Sequence, residues 1–162
     1  VLIHVVEGLA SSRPDLVCLI AGEGPMRAEL EHTIREKSLN QHLRFAGFVP
    51  DFAEICGGAD LFLLTSDQEG TPNALLEAMA AGVPCVSFAV GSVPQILSGD
   101  LQDNVIAPGD DKAFAERAAA LLDRPDLRSH VGGAMLMRVV SDYSFDSSMR
   151  RYEDTLHFVL NT

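Results

Sequence analysis

Short apolar runs, almost unbroken by polar residues, alternate along this chain with longer amphipathic stretches. A strand that is apolar at nearly every position has no face to offer water, so it is expected to be covered on both sides. Alternation of such runs with helix-length segments is the pattern of βαβ units around a parallel sheet. The runs at 16–21, 43–45, 61–64, 84–88 and 104–106 read as strands. Helices are expected over 26–37, 52–57, 72–81 and 111–122, with terminal helices over 125–140 and 145–160. Proline opens several of these helices, at Pro25, Pro72 and Pro125, and Gly82 followed by Pro84 supplies a stop. The fold class is therefore α/β, a three-layer sandwich of parallel strands and helices.

The first residues are ambiguous. VLIHVV has strand-like propensity, yet VLIHVVEGLASS also fits a helix that leads to the strand at 16. In a doubly wound sheet the first strand lies in the middle, so a helix at the front predicts a strand ahead of residue 1, and a chain trimmed at that edge. The 162 residues suffice for one domain. At 47% apolar residues, with no run long enough to span a bilayer and no signal-type flank around 1–6, a soluble, cytoplasmic protein is expected.

Charge excludes one class of partner. Twelve basic against 23 acidic residues leave a net charge of −11, the wrong balance for a nucleic-acid binder. Any anion bound here needs backbone dipoles or cations from elsewhere. Cys18, Cys56 and Cys85 lack metal-ligand spacing and read as buried, reduced thiols. His4, His32, His42, His130 and His157 are scattered, and Ser66 and Ser92 lack a nucleophile-elbow setting. The Met135/Met137 region reads as helix packing, and AERAAALLDR as an ordinary amphipathic helix.

The chemistry concentrates in DLFLLTSDQEGTPNALLEAMAAGVPCVS, residues 60–87. A buried strand runs into a polar loop and then a helix, with Thr71 expected as N-cap and Pro72 as first residue. Ligands of open parallel sheets bind beyond the carboxyl ends of strands, where this loop sits. The amides of Asn73 and Ala74 at the positive helix end suit a phosphate oxygen. Glu69 in the loop and Glu77 in the helix flank the same mouth, because helical side chains lean toward the N-terminus. Carboxylates accept two parallel hydrogen bonds from vicinal hydroxyls, so these acids suit a sugar while the helix start suits a diphosphate. Spacing alone leaves open a solvated loop acid beside a helix-surface acid.

EGTPNALLEAMAAGVP resembles the Glu-x7-Glu signature of the retaining, GT-B-type glycosyltransferases of the group 1, family 4 kind. AGEGPMRAELE resembles that family's strand–GxGP–helix unit, and LRFAGFVPD its next strand and loop. GGADLFLLTS resembles the strand before the signature, and AVGSVPQIL the glycine-rich turn after it. The ordered set spans roughly residues 1–160 and is far more specific than any one motif. It implies the Rossmann-like C-terminal half of a GT-B enzyme, and transfer of a hexose from a nucleoside diphosphate donor to a hydroxyl acceptor, with retained configuration. Glu69 would contact the donor sugar. Gly70, Thr71, Pro72 and Asn73 would bring their backbone to the sugar and diphosphate, and Glu77 would hold the ribose diol. Val49 and Asp51 would line the base pocket, and Gly22 and Gly24 would pass close to the nucleotide. For 22–25 a tight turn into a helix fits the residues equally well.

The resemblance implies no cofactor and no metal, the nucleoside diphosphate sugar being substrate. Two departures stand out. The turn that usually reads Gly-Gly and carries a Glu is Gly91-Ser92 with Gln95 here, and the family's Arg and Lys for the diphosphate would fall ahead of residue 1. The acceptor-binding N-terminal domain is likewise absent, so this piece alone is expected to be inactive, and any peripheral membrane association would come through that domain. Rival readings are a nucleotide-sugar epimerase, which needs further acid/base groups at this mouth, and a non-catalytic nucleotide-sugar-binding module, which would have lost one of the acids.

Overall fold

The computed structural model describes residues 1–160, the side chain of Glu54 excepted. The chain opens with a helix, α1 (Leu2–Ala10), and not a strand. Its apolar residues fall on two helical faces. Val5 and Leu9 enter the main core, while Ile3 and Val6 join Ile34, Leu39 and Leu43 in a second cluster. A strand could not sort them in this way, because alternation would put Ile3 on the face of Val5 and opposite Val6.

Next come β1 (Cys18–Ala21), α2 (Arg27–Glu36), β2 (Leu43–Gly47), α3 (Phe52–Gly57), β3 (Phe62–Leu64), α4 (Asn73–Ala80) and β4 (Cys85–Phe88). Then follow α5 (Val93–Ile96), a 3-10 turn (Gly99–Asn104), β5 (Val105–Ile106), α6 (Asp111–Asp123) and α7 (Pro125–Arg138). A π turn (Val139–Tyr143) leads to α8 (Phe145–Leu160). All strand pairing is parallel, in two hydrogen-bonded groups, β1–β2 and β3–β4–β5. The α/β expectation holds.

The strands are not equally covered. β4 is buried at every position, as an unbroken apolar run predicts, whereas Leu19 of β1 is 51% exposed and only Cys18 and Ile20 face the second cluster. Around β4, α4 gives Leu75, Ala78 and Met79, α6 gives Phe114, Ala118 and Leu121, and α7 gives Val131 and Met135. The Phe88 and Phe114 rings lie 4.8 Å apart. Burial pushes the Cys85 thiol well up, and the Cys18 thiol to about 11. Met135 packs, its sulfur accepting the Cys85 N–H at 3.2 Å, but Met137 is exposed, so the expected packing at that pair holds for one residue only. Asn104, expected at the head of a strand, instead ends the 3-10 turn. Its buried amide donates to Leu101 O and accepts from Arg117, so its side chain completes the turn. On α8 only Ser147 is buried, and Phe145, Met149, Tyr152 and Leu156 are exposed.

Candidate functional site

Because the strands are parallel, the loops after β1, β2, β3 and β4 all leave carboxyl ends, and the predicted site residues lie on those loops or the helix start that follows, except Glu77, which is the fifth residue of α4. The loop after β3 carries Glu69, which is half-buried, then Gly70 and Thr71, both exposed, and Pro72, which is buried. The loop after β4 lies directly on it. A Cβ on Gly91 would collide with the carbonyl oxygens of Glu69 and Gly70, so only glycine permits this approach, and Gly91 also holds φ at +52°. The Ser92 N–H donates to Gly70 O at 2.9 Å, and the Ser92 hydroxyl donates to the same oxygen at 3.1 Å.

The helix that follows starts one residue later than expected. Thr71 is not the N-cap of α4. The helix begins at Asn73, and Pro72 takes the cap position with ψ of 101° and no side-chain cap. With Gly70 held to the neighbouring loop, the chain turns inward at the buried Pro72, whose carbonyl accepts the N–H groups of Leu75 and Leu76. The amides of Thr71, Asn73 and Ala74 have no partner among the described residues. The expected anion-facing amides therefore survive the shift in the helix boundary.

At its other end α4 stops as expected. Gly82, at φ +74°, donates to Met79 O, and Val83 N–H returns to Ala78 O. Glu77 is exposed on the helix and close enough to Cys56 of α3 that, after burial as the larger cause, its charge raises that thiol. α3 follows the loop bearing Val49, which is half-buried, and Asp51, which is exposed. Glu77 thus stands on the side of α4 that meets the helix after the predicted base pocket. Gly22, at φ +112°, donates to Gly47 O at 2.8 Å, which ties the loops after β1 and β2 together. Gly24 has open space around it and no positive φ. Among the described residues no hydrogen bond or ion pair joins 22–25 to 69–77.

Residues 1–134 match the family described as "Glycosyl transferases group 1". The chain belongs to this family. Over 146 residues it is 28% identical to the N-acetyl-alpha-D-glucosaminyl L-malate synthase of Bacillus anthracis, covering 90% of this chain and 38% of that protein. Over 150 residues it is 30% identical to the lipopolysaccharide core biosynthesis mannosyltransferase of Rhizobium meliloti, covering 88% of this chain and 42% of that protein. It shares its fold with S. aureus TarM, solved in complex with UDP and alpha-GlcNAc-glycerol, at a TM-score of 0.86 and 22% identity, over 94% of this chain and 31% of that one. The chain thus spans well under half the length of these proteins.

The cations of this chain are unevenly distributed. From Phe45 to Asp111 there is no Lys or Arg, and that stretch holds Glu69, Glu77 and both loops of the clasp. Elsewhere the cations are mostly engaged. Arg13 pairs with Asp123, Lys37 with Glu7 and Arg128 with Asp60. Arg27, just past the Gly22–Gly24 turn, sits over the Phe45 ring between Glu23 and Glu31, and both carboxylates raise its pKa. Sequence reasoning missed the clasp itself. Ser92 reads from the sequence as a serine without a nucleophile-elbow setting and as a departure from a Gly-Gly turn, and neither reading points to a bond with Gly70.

Proposed function

We propose that this domain holds the nucleoside diphosphate sugar of a retaining hexosyltransferase that acts in glycan, glycolipid or polysaccharide assembly. The observation that carries the reading is the strand–loop–helix at 62–80, with a half-buried acid at 69 and three amides at 71, 73 and 74 that have no partner among the described residues, followed by the exposed Glu77 further along the helix. Glu69 would accept hydrogen bonds from the sugar hydroxyls, Gly70 to Asn73 would face sugar and diphosphate, and Glu77 would bind the ribose diol. Val49 and Asp51 would border the base, with Gly22 and Gly24 beside the nucleotide. That S. aureus TarM was solved with UDP supports a diphosphate donor here.

In this reading the leaving diphosphate departs on the face from which the acceptor hydroxyl enters, which retains configuration. Amides and the helix dipole meet part of its charge. The rest falls to cations of a longer protein, together with the acceptor domain, and the strand inferred ahead of residue 1 would lie between β1 and β3. The division of the strands into two hydrogen-bonded groups supports that placement. Three unpaired thiols fit a cytoplasmic setting, and no helix among the described residues is long and apolar enough to cross a membrane.

The test is Glu69→Gln in the full-length enzyme. It is expected to lower kcat by far more than it weakens binding of the free nucleoside diphosphate, with the thermal midpoint unchanged. An unaltered kcat in the folded variant would return Glu69 to a solvated loop acid and favour a binding module.

A further inference from the structure

Ser92 occupies the N-cap position of α5, where a serine hydroxyl ordinarily accepts an N–H from its own helix. Here it makes no such cap and reaches across to the loop after β3, donating to Gly70 O alongside its own backbone N–H. A carbonyl oxygen has two lone pairs and accepts both donors. The described chain has no cis peptide, so turning the Gly70 carbonyl toward Ser92 turns the Thr71 N–H the opposite way, away from the clasp. That amide has no partner among the described residues. The bare Cα of Gly91 lets the two loops approach closely enough for both bonds.

We infer that Ser92 is a positioning residue for sugar transfer: its hydroxyl locks the Gly70–Thr71 peptide so that the Thr71 amide is aimed at the donor. The inference rests on the reading of Glu69 to Asn73 as the donor-binding segment. Without the hydroxyl, one bond remains and the peptide can rotate about it, so the amide is lost as a directed contact in part of the population. The effect belongs to the donor, because the acceptor is held by another domain. A serine that merely stabilised the fold would instead reduce the amount of active enzyme and leave both Michaelis constants alone.

The experiment compares Ser92→Ala, Ser92→Thr and Glu69→Gln in the full-length enzyme, with UDP-, GDP- and ADP-sugars screened first to find the donor. Ser92→Ala is expected to lower kcat/KM for the donor by about 3- to 10-fold, the factor for one neutral hydrogen bond, with the acceptor KM unchanged. Ser92→Thr, which keeps the hydroxyl, should return within about twofold of wild type on the same scale. Wild-type donor kinetics in Ser92→Ala, equal movement of donor and acceptor parameters, or a threonine variant as slow as alanine would each overturn the inference. If Ser92→Ala does not fold, Ser92→Gly against Ser92→Thr makes the same comparison. Glu69→Gln separates the two failures. If it leaves kcat intact, the donor-site reading falls; if it abolishes turnover while Ser92→Ala is silent, only the role of Ser92 falls.

Discussion

Glu69 and Glu77 are eight positions apart and carry the same carboxylate, yet they sit in different surroundings. Glu69 is half-buried in a loop whose backbone is clasped from the next strand's loop, whereas Glu77 is exposed on a helix flank beside α3. A carboxylate fixed by its backbone suits a contact that must be precise in the transition state. One on an open helix flank suits ground-state recognition of a diol. Glu77→Gln in the full-length enzyme is therefore expected to weaken nucleotide binding by about 1.5–3 kcal/mol, the worth of one charge-assisted hydrogen bond. A 2′,3′-dideoxyribose analogue should bind both forms alike, because it has no diol to lose. Calorimetric titration of both ligands checks this, and equal losses would remove Glu77 from the ribose.

Among the elements, α4 governs the mouth because its two ends are held by different neighbours. Its start follows the clasp by Gly91 and Ser92, and its end lies under α7, where a Cβ on Gly132 would collide with Gly82 O and press on the Pro84 ring. The Gly82 carbonyl belongs to the turn that closes α4, so α7 can pack this closely only while position 132 is bare. Gly132→Ala gains helix propensity but overpacks this contact. We expect a net loss of about 1–3 kcal/mol in urea unfolding, with the slope unchanged. A gain in stability would show that the helices part there without cost. Arg138 supports the same side by donating to Ile96 O and to Ser98, which fixes the C-terminal end of α5.

For the molecule as a whole, the net charge of −11 and the lack of any Lys or Arg from Phe45 to Asp111 set a limit on anion binding. Three amides and a helix end meet a diphosphate weakly in water when no cation assists them. This domain alone should bind UDP, GDP or ADP with a dissociation constant no tighter than about 0.1 mM, on the order of −5 kcal/mol, and turn over no donor. Sub-micromolar binding in calorimetry would mean that the chain supplies its own phosphate site, and would direct attention to Arg27 between its two acids.

Local rules carried much of this far. Strand and helix order, the stop at Gly82 and the amides near Asn73 follow from hydrophobic period, glycine freedom and proline geometry, all properties of short segments. The identity of α1 as a helix was left open, because an apolar six-residue run satisfies both periods until two separate clusters demand two helical faces. The exposure of Leu19 runs against the coverage on both faces that an unbroken apolar run predicts, because nothing in the described chain packs on that face of β1. Thr71 was misplaced as a cap by one position: the first helical N–H groups, those of Leu75 and Leu76, donate to Pro72 O, and no side chain caps the helix. Composition and local pattern thus determined which elements form and which residues reach the carboxyl ends of strands. Only the packing of one loop on another decided which way the Thr71 amide points, because such contacts depend on distances between segments that no local pattern encodes.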